Sequence, residues 1–453
     1  MRITLFTDFR FANDPAPTGV LKHALYMARG LARSPDFEVS ALVSADQVGQ
    51  QGCLSFLPGK KLPLPWKVAR ELWTWTNRPV VDRWIGETDW VYCPKNDWIP
   101  VKRAKYAVTI HGAHEIDPDF NKPQGLREQA LCYRTRRQYL KMCERADVVL
   151  TVSEWLKAFI VEQFRTDASK IVVVGNGVDE CFYEAGRKEV LKSESSEVRK
   201  LEDGGRRTED RRSALLQACE RALVGKRGDG ETVGNGETFC EGSTSQGGVN
   251  SEEGAVPRVS SIEFPVSVPS TSEILNSRKN GLHPYILCVG GLNFIDGGDR
   301  IIALGQEIKR SGRRIRIKVA GCQHDPGAQQ LAAETGVIDL LGFVCHEHLA
   351  GWMADAATFY FPTRYETFGM AAAEAMAAGC PVVTSRCTAV PEIVGDCGVY
   401  VNPDNPAEVL DAVDVLLKDS GLSSGLIERA YKRAGLFTWN ECTQRLHHSL
   451  RAT

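Results

Sequence analysis

The segment PTRYETFGMAAAEAMAAGCPVVTS, residues 362–385, decides how the second half of the chain folds. A strand ends near Pro362, a loop carries Glu366, and a helix starts around Phe368 or Gly369. The helix consists almost entirely of alanine and methionine. Gly379 is the signal that ends it, and Pro381 opens the next strand. A helix this apolar is expected to be buried.

One carboxylate, Glu374, lies on this helix, and a buried carboxylate needs a hydrogen-bonding partner. Hydroxyls of a sugar or a ribose would serve, and Glu366 would face the same cleft mouth. The backbone N–H groups of Phe368, Gly369 and Met370 would offer donors and the positive end of a helix dipole to a phosphate or sugar oxygen. The alternative is a buried helix with one solvated glutamate at its rim and another favoured by the dipole.

The rest of the chain indicates two α/β domains and a segment between them. Residues 1–180 alternate apolar runs with helical stretches such as 19–32 and 126–146, which is typical of a parallel, doubly wound sheet, and we place the first domain at 1–184. Residues 185–280 are rich in Gly, Ser, Glu and Arg and are predicted to be a disordered insertion or linker. The alternation restarts at Pro284, so the second domain is placed at 281–437. The apolar runs of the first domain are ITLFTD (3–8), FEVSALVS (37–44), WVYCP (90–94), YAVTIHG (106–112), DVVLTVS (147–153) and KIVVVGNG (170–177).

Composition excludes several classes of protein. The 453 residues carry a formal net charge of −2, which disfavours a dedicated nucleic-acid binder. The 14 cysteines include no C-x-x-C pair, so no zinc site and no metal is predicted. The N-terminal apolar run is too short for a signal peptide, and no stretch approaches the length of a spanning helix. We therefore expect a cytoplasmic protein with reduced thiols.

The E-x7-E spacing of Glu366 and Glu374, inside YETFGMAAAEAMAAGCPVV, resembles the retaining GT-B glycosyltransferases of family 4. Other segments carry the same resemblance across most of the chain outside 185–280. They are TVSEWLKAFI (151–160), VVVGNGVDECF (172–182), PYILCVGGLN (284–293), AVPEIVGDCGVYVNPDNPAEV (389–409) and FTWNECTQRL (437–446). The implied fold is two Rossmann-like parallel-sheet domains facing each other across a cleft, with a helix at about 438–453 returning to the first domain.

The resemblance implies a role for each matching residue of the 366–374 segment. Glu366 would be a catalytic residue that hydrogen-bonds the donor sugar, and Glu374 would bind the ribose hydroxyls of a nucleotide-sugar. The amides of Phe368, Gly369 and Met370 would hold the sugar or phosphate.

Four more donor-site residues are implied elsewhere in the chain. Gly19 would admit the donor diphosphate after the first strand, and Gly290 lies in the corresponding turn of the second domain. His111 would line the sugar side of the cleft as a second catalytic residue. Phe343, in the GFV turn at 342–344, would lie against the nucleobase.

One departure from the family pattern concerns charge. The family places an Arg and a Lys where this chain has Gly291 and Asp296, and an acidic residue there would repel a diphosphate. Arg300 or Arg364 could compensate, the loop could be rearranged, or the donor could differ. The last alternative is a protein that binds sugar or nucleotide without transfer.

The predicted reaction is transfer of a sugar from a nucleotide-sugar to a glycan, polysaccharide or lipid-linked acceptor, with retention and without a metal or other cofactor. A nucleotide-sugar epimerase or a phosphorylase on the same architecture is the rival enzyme class. Residues 60–84 interleave lysines and arginines with Trp66, Trp73, Trp75 and Trp84, which is typical of a surface for anionic lipid. An ordinary helix whose tryptophans pack in the core is the alternative.

Overall fold

The computed structural model describes residues 1–7, 18–48, 54–118, 120, 123, 125–187 and 284–453. The predicted insertion at 185–280 lies outside these residues, except for 185–187. Those three residues are helical and continue a helical run that begins at 180, so the predicted disorder is wrong for them.

The first half of the chain forms a sheet of seven parallel strands in the described residues, with the order β3-β2-β1-β4-β5-β6-β7. Its strands are β1 (Arg2–Phe6), β2 (Glu38–Ser44), β3 (Gly59–Leu62), β4 (Trp90–Cys93), β5 (Lys105–Ile110), β6 (Val148–Thr151) and β7 (Ile171–Val173). Its helices are α1 (Gly19–Arg33), α2 (Trp66–Thr76), α3 (Asp82–Ile85), α4 (Leu126–Arg145) and α5 (Glu154–Phe164). Short 3-10 turns span Ala45–Gln47, His114–Ile116 and Ala168–Lys170.

The second half forms a sheet of six parallel strands in the described residues, with the order β10-β9-β8-β11-β12-β13. Its strands are β8 (Tyr285–Val289), β9 (Arg316–Ala320), β10 (Ile338–Gly342), β11 (Thr358–Phe361), β12 (Val382–Thr384) and β13 (Gly398–Tyr400). Its helices are α6 (Gly298–Ser311), α7 (Pro326–Thr335), α8 (His346–Asp355), α9 (Met370–Ala377), α10 (Val390–Val394), α11 (Pro406–Lys418) and α12 (Ser420–Ala434).

The central strands are apolar because helices cover both of their faces. All four residues of β4 and of β6 are buried, as are those of β11. Every strand of the first sheet except β3 overlaps a predicted run, and β1 and β5 begin one residue before theirs. Strand β3, GKKL, is mostly polar and lies at the sheet edge beside β2 alone, so it carries no apolar run.

The last helix, α13 (Trp439–Ala452), lies against α1 of the first half. The Trp439 ring stacks on Tyr26 with centroids 4.3 Å apart, and Gly30 leaves room for Thr443. A single parallel bridge between Val178 and Thr438 marks where the chain returns.

Both sheets have the strand order of a dinucleotide-binding fold, in which the chain switches direction beside the first strand of the sheet. The switch points lie between β1 and β4 and between β8 and β11, and ligands of such sheets bind at the carboxyl ends of these strands. The two halves are also joined by the helices that follow β6 and β12. The carboxylate of Glu392 on α10 accepts hydrogen bonds from the N–H groups of Glu154 (2.9 Å) and Trp155 (3.0 Å) at the start of α5.

Candidate active site

The loop after β11 carries Glu366 to the start of α9. Its Oε1 accepts hydrogen bonds from the N–H of Thr367 (2.9 Å) and of Phe368 (3.2 Å), so the carboxylate lies at the helix N-terminus. Gly369 has φ of 103° and precedes the first helical residue, Met370, which is a backbone conformation that favours glycine. The predicted amides therefore lie beside Glu366, and that of Phe368 is bonded to it.

Thr388 braces this loop, and the sequence analysis did not single it out. Its hydroxyl accepts from the N–H of Glu366 at 2.9 Å and donates to the carbonyl of Glu366. Thr388 has φ of 42°, a left-handed conformation that costs a non-glycine residue energy. Its only sequence signal is its place in the family-like segment before the AVPEIV helix.

Glu374 lies on the second turn of α9 and is buried, as predicted for this helix. Its partner within the described residues is Lys22 of α1, whose Nζ lies 3.2 Å from Glu374 Oε1. The same ammonium lies 2.9 Å from Asp179 Oδ2 and 3.2 Å from His346 Nε2. Because an ammonium only donates, these three groups accept from it. Lys22, which lies on α1, thus connects α9 to the turn after β7 and to the start of α8.

The charges of this cluster shift its pKa values in both directions. Burial raises the pKa of Glu374, and Lys22 only partly opposes this. Burial would lower the pKa of Lys22, but the Glu374 and Asp179 carboxylates outweigh it and raise that pKa. Burial would likewise raise the pKa of Asp179, yet Lys22 holds it below its ordinary value. The cluster therefore holds a charged lysine between two carboxylates.

His111 follows β5 at its carboxyl end and is buried. Its Nε2 lies 2.9 Å from the carbonyl oxygen of Pro94, so this nitrogen carries the hydrogen. Burial lowers the pKa of His111 to about 4, and the imidazole is therefore neutral at pH 7. The ring of His23 lies 4.6 Å from that of His111, and burial lowers the pKa of His23 as well.

The two halves approach closely beside these residues. A Cβ on Gly19 would lie 2.8 Å from Met370 Sδ, so a larger residue where α1 begins opposite α9 would require the Met370 side chain to move. A Cβ on Gly112, next to His111, would lie 3.4 Å from Thr367 Cγ2. The predicted residues Gly19, His111 and Met370 thus border the same interface between the halves.

Gly290 directly follows β8 and has φ of 125°, and a Cβ there would lie 2.9 Å from Asp296 Oδ2. This same oxygen accepts from the N–H of Gly291 at 3.0 Å and from Asn293 Nδ2 at 2.7 Å. The acidic residue at the expected basic position therefore closes its own turn. Its charge contributes to the raised pKa of Glu366, although burial is the main cause of that shift.

Arg300 and Arg364, the two candidates for compensating charge, are both held in ion pairs. Arg300 donates to both oxygens of Asp404, at 2.7 and 2.9 Å. Arg364 donates to both oxygens of Asp299, at 2.7 and 2.8 Å, and its guanidinium covers the Phe294 ring. Among the described residues, Lys22 is the cation bonded to the E-x7-E pair.

Phe343 follows β10 and is exposed, so its ring can stack on a flat ligand. The described residues contain no group of three or more His, Cys, Asp or Glu side chains arranged to hold a metal ion. None of the helices in the described ranges combines the length and the apolar character needed to cross a bilayer.

Two parallel sheets with the strand order of a dinucleotide-binding fold, packed against each other, have the architecture of a GT-B protein. Residues 17–181 match the model of Glycosyltransferase Family 4, and residues 283–419 match that of Glycosyl transferases group 1, together about two thirds of the chain. The chain belongs to these glycosyltransferases, which confirms the resemblance drawn from the E-x7-E segment.

The named proteins that are similar to this chain in sequence are also glycosyltransferases. O-antigen chain mannosyltransferase B of Escherichia coli is 37% identical over 108 residues, which are 24% of this chain and 28% of that protein. D-inositol 3-phosphate glycosyltransferase of Frankia alni is 30% identical over 181 residues, which are 37% of this chain and 44% of that protein. The matched segments span less than half the length of either relative.

Solved structures of low identity share the fold. Sucrose-phosphate synthase of Thermosynechococcus elongatus superposes with a TM-score of 0.61 at 14% identity, covering 100% of this chain and 98% of that one. The Anabaena protein HepE, in complex with UDP and glucose, superposes with a TM-score of 0.57 at 14% identity over 100% of both chains. These likenesses confirm the predicted two-domain α/β architecture.

Proposed function

We propose that the chain is a retaining, metal-independent glycosyltransferase that moves a sugar from a nucleoside diphosphate donor to a glycan or lipid-linked acceptor. The observation that carries the proposal is the convergence of Glu366, Glu374 and the N-terminus of α9 at the carboxyl ends of the switch-point strands. The similarity to named glycosyltransferases supports the reaction class.

The donor is proposed to lie along the second half of the cleft. Phe343 would stack on the base, and Glu374 would accept from the ribose hydroxyls, because a carboxylate has lone pairs beyond the one that Lys22 takes. The N-terminus of α9 would face the sugar or phosphate oxygens, and Glu366 would accept from a hydroxyl of the sugar.

Transfer breaks the bond between the anomeric carbon and the diphosphate oxygen, and forms a bond from the same carbon to an acceptor hydroxyl oxygen. The departing diphosphate takes the electron pair, and one of its oxygens takes the acceptor proton. The helix dipole of α9 would stabilise the charge that develops. Attack on the face that the leaving group vacates would retain the anomeric configuration.

His111 would contribute as a neutral group at the sugar side of the cleft. With its pKa lowered to about 4 by burial, it carries no charge that would oppose an oxocarbenium-like sugar. Its Nε2–H is committed to Pro94, which fixes the ring orientation.

The deciding experiment offers UDP-glucose, GDP-mannose and ADP-glucose, with simple glycosides as acceptors, to the wild type and to Glu366→Gln. We expect one donor to be consumed with a product of the same anomeric configuration by NMR, in the presence of EDTA. An inverted product, or activity abolished by EDTA and restored by a divalent cation, would overturn the proposed mechanism.

A binding protein without transferase activity is the second candidate. It is favoured by Gly291 and Asp296 at the expected basic positions and by the ion pairs that hold Arg300 and Arg364. A nucleotide that raises the melting temperature, with neither transfer nor donor hydrolysis, would select this candidate.

A further inference from the structure

Helix α2 is apolar on two opposite faces. Its inner face packs Trp66 and Trp73 into the core, where both are buried. Its outer face carries Val68, Leu72 and Trp75, which are 39% to 47% exposed and follow the i, i+4, i+7 spacing of one helical stripe. A solvated helix face is normally polar, so this stripe requires an explanation.

The lipid surface predicted from residues 60–84 therefore needs a correction. Trp66 and Trp73 are core residues, as the alternative interpretation holds. Lys60 points inward and donates to the carbonyl of Ile85 at 2.5 Å and to Thr88 at 3.2 Å. The order of basic residues and tryptophans in the sequence does not show which of them are buried, because consecutive helical residues face different directions.

Helix α4 extends the outer stripe of α2. The Tyr133 ring lies 6.3 Å from that of Trp75, roughly parallel to it, and the Arg137 guanidinium lies 5.4 Å from the Trp75 ring. Leu126, two turns before Tyr133, is 85% exposed. We call Val68, Leu72, Trp75, Leu126 and Tyr133 together the α2–α4 face.

A basic groove of about 670 Å³ adjoins this face and shares Leu72 with it. Its cations are Arg78, Arg83, Lys102 and Arg103. The one carboxylate that lines the groove, Asp82, already accepts from the N–H groups of Lys102 and Arg103. The carboxylate of the outer stripe, Glu71, is likewise paired with Arg134 at 2.6 Å. The groove and the face therefore present excess positive charge.

We propose that the α2–α4 face and the basic groove bind the surface of an anionic lipid bilayer. Aromatic and aliphatic side chains on one helical stripe suit the boundary between headgroups and acyl chains, and the adjoining cations suit lipid phosphates. Charge complementarity selects anionic over neutral lipid. This proposal goes beyond sugar transfer, and its test does not depend on any donor or acceptor.

The test is vesicle flotation of the full chain at low salt, with equimolar phosphatidylglycerol and phosphatidylcholine or with phosphatidylcholine alone. We expect partition onto the anionic vesicles only. Leu72→Ser/Trp75→Ser should lower partition about tenfold or more, because it removes the inserted apolar groups. Arg78→Gln should lower it about fivefold through the loss of one cation.

Leu417→Ser is the matched control, because Leu417 on α11 is 42% exposed, close to the 39% of Leu72. We expect the control to partition as the wild type does, and all variants to keep the wild-type melting temperature. Absence of partition, or equal partition onto neutral vesicles, overturns the proposal. Binding that heparin reproduces, and that depends on Arg78 but not on Leu72 and Trp75, identifies a site for soluble polyanions and also overturns it.

Discussion

The two halves share one strand order, yet they deliver opposite charges to the interface between them. In the first half, the helix that follows the first strand of the sheet places Lys22 as its fourth residue, and this ammonium is buried among three acceptors. In the second half, the fourth residue of the corresponding helix α6 is Ile301, a core residue. The turn before α6 places the carboxylate of Asp296 near Glu366 instead.

The comparison indicates that repeated topology fixes where functional groups lie and leaves their chemistry open. The first half contributes the buried ammonium of Lys22, which pairs with Asp179 and Glu374, whereas positions 291 and 296 of the second half carry no cation. Arginines of the second half, by contrast, bond carboxylates of their own half. The following predictions test this division of charge between the halves.

The largest expected effect is on stability. Lys22→Met would leave Glu374 and Asp179 as buried carboxylates without a cation, which should lower the free energy of unfolding by about 3–5 kcal/mol. Arg300→Met is the matched control in the other half, because its partner Asp404 is exposed and the loss should not exceed about 1 kcal/mol. Urea denaturation measures both variants, and equal losses would contradict the asymmetry.

The next effect is on turnover. Glu366→Gln keeps an oxygen that can cap α9 but removes the charge, so the transfer rate should fall about 100- to 1000-fold. Nucleoside diphosphate affinity should stay within about threefold, since the base and ribose contacts remain. Initial rates and isothermal titration separate the two quantities. A rate within tenfold of the wild type would remove Glu366 from the chemistry.

The buried histidines of the first half predict a pH dependence of stability. The pKa of His111 falls from 6.5 to about 4 on folding, so between these values the unfolded chain binds the proton and the folded chain does not. Stability should therefore fall as pH is lowered from 6.5 to 4, by about 3 kcal/mol for this residue. Urea midpoints at pH 7, 6 and 5 measure the slope.

His111→Gln should flatten this slope, and the double variant with His23→Gln should flatten it further, because burial lowers the pKa of His23 too. His324, which is exposed, provides His324→Gln as the control with an unchanged slope. Identical slopes for His111→Gln and the wild type would mean that folding does not lower the pKa of His111.

The smallest effect concerns Asp296. Asp296→Asn keeps an oxygen that accepts from Gly291 and Asn293, and removes one negative charge from the proposed diphosphate side. Nucleoside diphosphate should then bind about threefold more tightly at low salt, and the gain should shrink at high salt. Weaker binding would show that the carboxylate supports the site and does not repel the ligand.

The architecture was predictable because its signals are local. Apolar runs alternating with helical stretches indicate the parallel sheets, and the 362–385 segment contains the strand, loop, buried helix and strand in the predicted order. The predicted helices at 19–32 and 126–146 match α1 and α4 to within one residue at each end. Strand β3 escaped prediction because Leu62 is the single large apolar residue among its four.

The cluster around Glu374 was not predictable from local pattern. A partner for this carboxylate was expected, but Lys22 lies 352 positions away in sequence, and nothing in its own segment indicates that it is buried. The hydrogen bonds of Asp296 were not predictable either. The sequence shows the charge of this residue, but it does not show that the Gly291 N–H and Asn293 Nδ2 donate to it. The assigned roles of His111, Gly19, Gly290 and Phe343 remain predictions that the proposed experiments test.

The packing of α13 on α1 has a consequence for synthesis on the ribosome. Tyr26 and Gly30 are each translated 413 residues before their partners Trp439 and Thr443. At about 5–20 residues per second, the nascent first half waits tens of seconds for the helix that covers it. During that interval the apolar surface of α1 stays accessible, so chaperone capture is expected to be strongest on chains stalled before Trp439.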